Sequence, residues 1–534
     1  MSLVKNSCLV LVLFLAFGCT KSGAPKPEIP DGTDPHEAIR QEYGLGTTTN
    51  LWGFIKDAQG NPIEDVAVTD GFSVAQSDAK GLYQLRKHEK ARFLYYTTPA
   101  DFEITVDAEN HPLFYTKIDQ RTSLFRQDFT LTRSTIEQEW ALIAIGDPQT
   151  SNTDNISRFN DESLADIDRT IRQLKGEGLA VYAVTLGDIV HDKPDLYPAM
   201  KSVMSRREAP IFQVLGNHDH ALNTPDEKAH EVFEDHFGPR NYSFQRGNAH
   251  IVILDNYINL NNLQDKPTGG LTDDIWKWLQ ADLALVPKDR MVILCAHVPF
   301  RQGTVATHGR NVVNLLKTFH QAHIMTGHTH TNEKWKHDDQ INSQLMEHTH
   351  GTTCGAHWRS NVCLDGTPNG YGVYYINNNE ISDYYYMAIG EQYDRNYQMR
   401  VYDGAHHFYS DQSGYSFNLT LGAAQNRVVA NIWNADPTWE ISLIEEGQAP
   451  VTMVQTTTAL TDWAAYSYHL HFKDKLWTGE TEHYWHARLP SGKTPAEATF
   501  AIVAKDLRNN QVYSFENSPA NLNVQYDYKE IAYP

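Results

Sequence analysis

Between residues 141 and 330 the chain alternates short apolar runs with stretches in which apolar residues recur at helical spacing. The runs 141–145, 180–186, 211–215, 291–296 and 323–326 are rich in Val, Ile and Leu and only four to seven residues long. Runs of that length and composition read as strands buried on both faces. Leu164, Ile167, Ile171 and Leu174 then predict a helix, as do Ile275, Trp278, Leu279 and Leu283 behind the candidate N-cap Thr272. Val312, Leu315, Leu316 and Phe319 predict a third, and residues 242–255 have strand character. Strands alternating with helices describe an α/β domain built on βαβ units.

The pattern changes on both sides of this block. Residues 51–133 alternate with period two and are punctuated by Gly60-Asn61-Pro62 and by Ser77-Asp78-Ala79-Lys80, which reads as all-β. Short alternating segments return after Tyr397, at 415–419, 428–433, 441–444 and 499–505. A chain of 534 residues exceeds what one core serves, so several domains are expected. The expected division is 1–18 signal peptide, 19–48 flexible tether, 49–134 β-sandwich, 137–395 α/β domain and 396–534 a second β domain. Between the last two, residues 348–371 are irregular and rich in Gly, His, Trp and turn formers. That loop either packs at the mouth of a site or tethers the final domain.

Each apolar run of the α/β block ends in side chains that bind metals. The first is followed by Asp147-Pro148-Gln149, the second by Gly187-Asp188 and then His191-Asp192. The third is followed by Gly216-Asn217-His218-Asp219, the fourth by His297, and the fifth by Gly327-His328-Thr329-His330. In open α/β sheets ligands collect at the carboxyl ends of strands, so these residues are expected to converge. The set resembles the calcineurin-like binuclear metallophosphoesterases, marked by Asp-x-His, Gly-Asp-x-x-x-Asp, Gly-Asn-His-Asp, a later His and Gly-His-x-His. Gln149 departs from that pattern, standing where the family usually has His.

The resemblance implies a four-layer αββα sandwich and a phosphomonoesterase or phosphodiesterase using two divalent ions, drawn from Mn, Fe, Zn, Co, Ni or Mg. Asp147, Gln149, Asp188 and His330 would hold the first ion, and Asp188, Asn217, His297 and His328 the second. A hydroxide shared between the ions would attack phosphorus. His218 would protonate the leaving oxygen, with Asp219 holding its other nitrogen and Asp192 standing behind the ligands. His357 and Trp358 are candidates for substrate contact. Most of the other nearby histidines, His191, His308, His348 and His350, are expected on surfaces or loops. The rival from another class is a glycan- or protein-binding lipoprotein with a degenerate phosphatase domain, which Gln149 alone favours.

Charge and cysteines add the setting. A formal net charge of −21 excludes the basic face of a nucleic-acid binder, leaving a phosphorylated substrate as the expected partner. Lys5 ahead of an apolar run ending at Gly18-Cys19 resembles a bacterial lipoprotein signal, with Cys19 lipidated. The expected location is therefore exported and anchored to a membrane, periplasmic or at the cell surface. Residues 57–85 resemble carboxypeptidase-regulatory or transthyretin-like modules. Cys295 sits in a buried strand pattern, whereas Cys354 and Cys363 share one loop and could bridge in an exported protein.

Overall fold

The computed structural model describes residues 35–259, 268–337, 345–404, 424–436, 438–457, 459–470 and 478–524, together with Leu421. The expected signal, Cys19 and the segment 415–419 lie outside the described residues. Met1–Thr49 forms a unit by itself. Its described part is not the flexible tether expected from composition, because Pro35–Tyr43 is a helix. Glu37 sits in its first turn and Arg40 in its last, matching the helix dipole, and Gln41 Nε2 donates to Glu37 Oε1 one turn earlier (3.3 Å).

The second unit, Asn50–Pro534, begins with two four-stranded sheets. One centres on Leu51–Asp57 and the other on Ala67–Thr69 and Phe93–Tyr96. This β region is bonded to the strand Tyr242–Arg246 of the next domain: Tyr95 Oη donates to Asn241 O (2.6 Å) and Arg246 Nη1 to Phe102 O (2.8 Å). Tyr242–Arg246 is an edge strand, and covering an edge protects it from pairing with other chains.

Among the described residues the α/β domain holds two large sheets and a small three-stranded one, made of Tyr257–Ile258, Thr268–Gly270 and Val305–Thr307. The first runs Ile211–Gln213, Ala180–Thr185, Glu139–Ile145, Gly370–Asn377, Glu380–Ala388, with its first three strands parallel. The second runs Tyr242–Arg246, Ala249–Ile253, Met291–Cys295, Gln321–Thr326, Leu345–Thr349, Glu333–Lys336, with its four inner strands parallel. Burial on both faces of each sheet explains the continuous apolar runs. From Glu139–Ile145, Leu142 and Ala144 join a core with Ile251, Ile293 and Cys295 of the facing sheet. Ala141, Ile143 and Ile145 face the other way, packing with Ile167, Ile171 and Leu174 of the helix Ala165–Gly176. On Met291–Cys295 the alternation is repeated, with Val292 and Leu294 packed against Trp278 and Leu279 of the helix Asp273–Ala284. Helix, sheet, sheet, helix is the resulting order of layers.

The expected helices form, with local adjustments. Thr272 does cap its helix, its side chain accepting from Ile275 N. The third helix ends at Leu316, and Phe319 is buried just past it. Ahead of Ala165–Gly176 lies a π-helical stretch, Phe159–Leu164. His348 and His350, expected on a surface or loop, are instead fully buried; His350 Nε2 pairs with Tyr374 Oη (2.7 Å).

Among the described residues the final β region contains two four-stranded sheets and a short two-stranded ladder. It is tied to the α/β domain through Asp365 of the irregular loop. Asp365 Oδ2 accepts from Asn332 N (2.8 Å) and pairs with His483 Nε2 (2.9 Å), and its carbonyl accepts from Asn431 Nδ2 (3.0 Å). All of these groups are buried. Among the described residues, no helix is long and apolar enough to cross a membrane.

Candidate metal centre

Parallel strands bring five turns to one end of the two sheets. Asp147 lies two residues beyond Ile145, Asp188 three beyond Thr185, His297 two beyond Cys295 and His328 two beyond Thr326. Asn217 opens the 3₁₀ turn Asn217–Asp219 after the strand Ile211–Gln213. The turns are tight. Asp147, Gln149, Asp188, Asp192, His328 and His330 all hold φ between 28° and 71°, a region that non-glycine residues rarely occupy and that gathers at functional sites. The flanking glycines are there for closeness: a Cβ on Gly327 would collide with Asp147 Oδ1, and one on Gly216 with Asp188.

The side chains then converge. Ligand atoms of Asp147, Asp188 and His297 all lie within 4.8 Å of one another, and all three residues are buried. His297 Nδ1 is 2.8 Å from Leu186 O, which assigns the ring proton to that nitrogen. Nε2 faces Asn217 Oδ1 (2.8 Å), Asp188 Oδ2 (3.3 Å) and His328 Nδ1 (3.2 Å). His328 Nδ1 is also 2.9 Å from the same Asn217 oxygen. On the other side, His330 Nε2 is 3.4 Å from Asp147 Oδ2. Gln149 Nε2 donates to Asp188 Oδ2 (3.1 Å), and Gln149 Oε1 is buried with no partner.

Lone pairs packed this closely with so few protons between them fit a cation. Burial works against a charge on His297, yet Asp188 beside it lifts its pKa to about 9, so positive charge is favoured at that spot. Burial and the His297 charge together lower His328 to about 4, keeping its imidazole neutral as a ligand must be. Oxygen and imidazole nitrogen donors of this kind suit first-row divalent ions.

His218 stands beside this cluster. Its backbone N donates to Asp188 Oδ1 (2.8 Å), and its ring Nδ1 pairs with Asp192 Oδ1 (2.9 Å). This corrects the expected pairing with Asp219. In a 3₁₀ turn successive side chains diverge by about 120°, so Asp219 points away from its neighbour. Asp219 is buried and accepts from the backbone N–H groups of Gly216 (2.9 Å), Ile189 (3.1 Å) and Val190 (3.2 Å), and from Tyr197 Oη (3.1 Å). Burial and the Asp188 charge push its pKa up to about 7. It binds the Asp188 turn to the Asn217 turn. Asp219→Ala leaves three buried donors without a partner, at about 1–3 kcal/mol each. The expected result is an unfolding temperature several degrees lower by calorimetry; an unchanged transition would remove this bracing role.

Two further residues belong here: Asn256, which sequence reasoning passed over, and His191, which was expected on a surface or loop. Asn256 Oδ1 accepts from His297 N (3.2 Å) and Val298 N (3.0 Å), fixing the turn that carries His297. It follows an apolar run, as the ligands do, and that was its signal. His191 stacks on His218 with ring centroids 4.2 Å apart. The candidates His357 and Trp358 do reach the site. The His357 ring is 4.6 Å from that of His330, and Trp358 Nε1 donates to Pro148 O (2.8 Å). Both readings of the loop therefore hold: residues 354–359 lie at the centre and Asp365 anchors the last domain. The possible disulfide does not form. Cys354 and Cys363 are buried free thiols, with Cys354 Sγ on Thr352 Oγ1 (3.5 Å) and Cys363 Sγ on Pro368 O (3.6 Å).

Three family profiles match along the chain. Calcineurin-like phosphoesterase covers residues 141–332, the N terminal of calcineurin-like phosphoesterase residues 49–134, and its C terminal residues 347–513. The chain belongs to the calcineurin-like phosphoesterases. The family implies divalent metal ions. No curated protein matches this phosphoesterase. Similar solved structures include Haemophilus influenzae NAD nucleotidase, 9% identical over 48% of this chain and 50% of that one, TM-score 0.28. A purple acid phosphatase from yellow lupin (Lupinus luteus) seeds is 10% identical over 60% of this chain and 69% of that one, TM-score 0.32. This phosphoesterase thus spans about half the length of the nucleotidase.

Proposed function

We propose that this phosphoesterase hydrolyses its substrate at a two-ion centre, with Asp147, Gln149, Asp188 and His330 holding one ion and Asp188, Asn217, His297 and His328 the other. The observation that carries the reading is the meeting of Asn217 Oδ1, His297 Nε2 and His328 Nδ1 within 3.2 Å, next to two buried carboxylates. Bound divalent ions supply charge neutralisation on the phosphoryl oxygens and lower the pKa of water. The chain's own residues do the rest. Asp192 fixes the His218 ring through Nδ1, which leaves Nε2 to deliver a proton to the departing oxygen. The test is turnover of p-nitrophenyl phosphate and bis-p-nitrophenyl phosphate by protein loaded with Mn²⁺ or Zn²⁺. Inert protein with two bound ions would overturn the reading.

Gln149 makes the first site richer in oxygen, which suits Mn²⁺ or Mg²⁺ better than Zn²⁺. Gln149→Ala is expected to lose one ion and most turnover while the second ion stays, as measured by elemental analysis. Two tightly held ions in that variant would take Gln149 out of the ligand set.

The same reading places the enzyme outside the cytoplasm, held to a membrane by a lipid on Cys19. What supports it is Lys5, the short apolar run and the small residue before Cys19. Cys19→Ser should release the protein from the membrane fraction or block its processing. A wild-type chain that is soluble and begins elsewhere would count against the anchor.

A further inference from the structure

Beside the metal centre lies a cavity of about 390 Å³ whose composition is unlike the rest of the chain. The protein carries 66 acidic and 45 basic residues, yet among the described residues no Asp or Glu lines this cavity. Gln149 and His191 form its wall toward the ions, and His357, Trp358 and Arg359 contribute another part of the lining. Arg359 is exposed and, among the described residues of the lining, is the one with a full charge; Asn152 adds an amide.

Two residues of the lining pack against side chains of the centre. His191 stacks on His218, at 4.2 Å, and His357 on the other side stacks on His330, at 4.6 Å. A group leaving past His218 therefore has this cavity before it. His191 Nδ1 is buried with no partner.

The wall carrying Arg359 is fixed in advance. Trp358 Nε1 is bonded to Pro148 O, its carbonyl accepts from Arg158 Nη1 (2.7 Å), and its N–H bonds Cys354 O (2.7 Å). His357 and Trp358 hold φ of 53° and 62°, a pair of left-handed residues that only such clamping maintains. A guanidinium on a rigid wall recognises phosphate oxygens through parallel N–H bonds.

Resting on the hydrolase reading above, we propose that this cavity binds a second phosphate on the leaving side of the substrate, making an organic diphosphate the preferred substrate and Arg359 a specificity-determining residue. In the reaction the oxygen of water bonds to the phosphorus held at the ions. The bond from that phosphorus to the bridging oxygen breaks, and its electron pair leaves with the second phosphate. The protons of water pass to the products or to solvent, so nothing else is consumed.

ADP and AMP share a nucleoside but differ in leaving group as well as in the second phosphate, so the decisive readout is how Arg359→Gln changes their ratio. The metal-loaded enzyme should release phosphate from ADP with a kcat/KM roughly tenfold or more above that for AMP, the worth of one charge-assisted contact. Arg359→Gln should bring the two values together, mainly through a higher KM for ADP, and Arg359→Lys should keep part of the difference. Equal kcat/KM for ADP and AMP, with p-nitrophenyl phosphate turned over, would overturn this inference alone. Arg359→Gln leaving the ADP-to-AMP ratio unchanged would do the same. Protein inert to all three substrates would overturn the hydrolase reading with it.

Discussion

Removing divalent ions with a chelator abolishes phosphate-ester turnover by this enzyme, and Mn²⁺, Co²⁺, Ni²⁺ or Zn²⁺ restores it; this is the largest effect expected. The site's buried carboxylates, Asp147 and Asp188, sit among His297, His328 and His330 with contacts of 3.1–3.4 Å. Two negative charges in a buried cluster with few protons repel the phosphate unless cations sit between them. Metal coordination reverses that sign and lowers the pKa of water from its bulk value toward neutrality. Activity and metal content should fall together on chelation and return together on addition of metal. Full activity in protein shown by elemental analysis to hold no ion would end the two-ion account.

The second large effect is on His218. His218→Ala should lower kcat by ~10²–10⁴-fold, the range for loss of a general acid, while metal content stays near normal. The structure explains the separation. His218 touches the ion ligands only through its backbone N–H, on Asp188 Oδ1, and alanine keeps that bond. Its ring is bonded to Asp192, which is itself outside the buried ligand cluster. The loss should shrink for aryl esters, whose leaving oxygens need little protonation, and grow for alkyl esters. Asp192→Asn should act in the same direction through a weakened hold on the ring, whereas Asp219→Ala should act on stability. An equal loss from His218→Ala for good and poor leaving groups would deny His218 the role of acid.

The contrast between Asp192 and Asp219 also marks where sequence reading stops. Asp219 is the covalent neighbour of His218 and Asp192 is 26 positions away, yet the ring bonds the distant one. Neighbours in a 3₁₀ turn point apart, so adjacency along the chain is a poor guide to which carboxylate an imidazole meets. Cys354 and Cys363 teach the same lesson. They are close in one loop, but each thiol turns toward its own hydroxyl or carbonyl partner and no bridge forms. The helix Pro35–Tyr43 was hidden for a different reason, because Pro, Gly and charge in its surroundings outweighed nine residues of favourable spacing.

What the sequence determined by itself was the set of buried parallel strands of an α/β domain and the residues at their carboxyl ends; the pairing of two sheets was implied only by the family resemblance. A strand buried on both faces must be apolar throughout, and the tight turn after it needs glycine where another turn comes close, so both features are written locally. Gly216 and Gly327 are such positions, each leaving room for a carboxylate of another strand's turn. Tertiary structure alone decided the partners of the catalytic side chains, the free state of the thiols and the placing of residues 354–359. Trp358 and Pro148 lie 210 positions apart and meet through a single hydrogen bond. No periodicity records a contact of that kind, because it depends on how two sheets and a loop pack together in space.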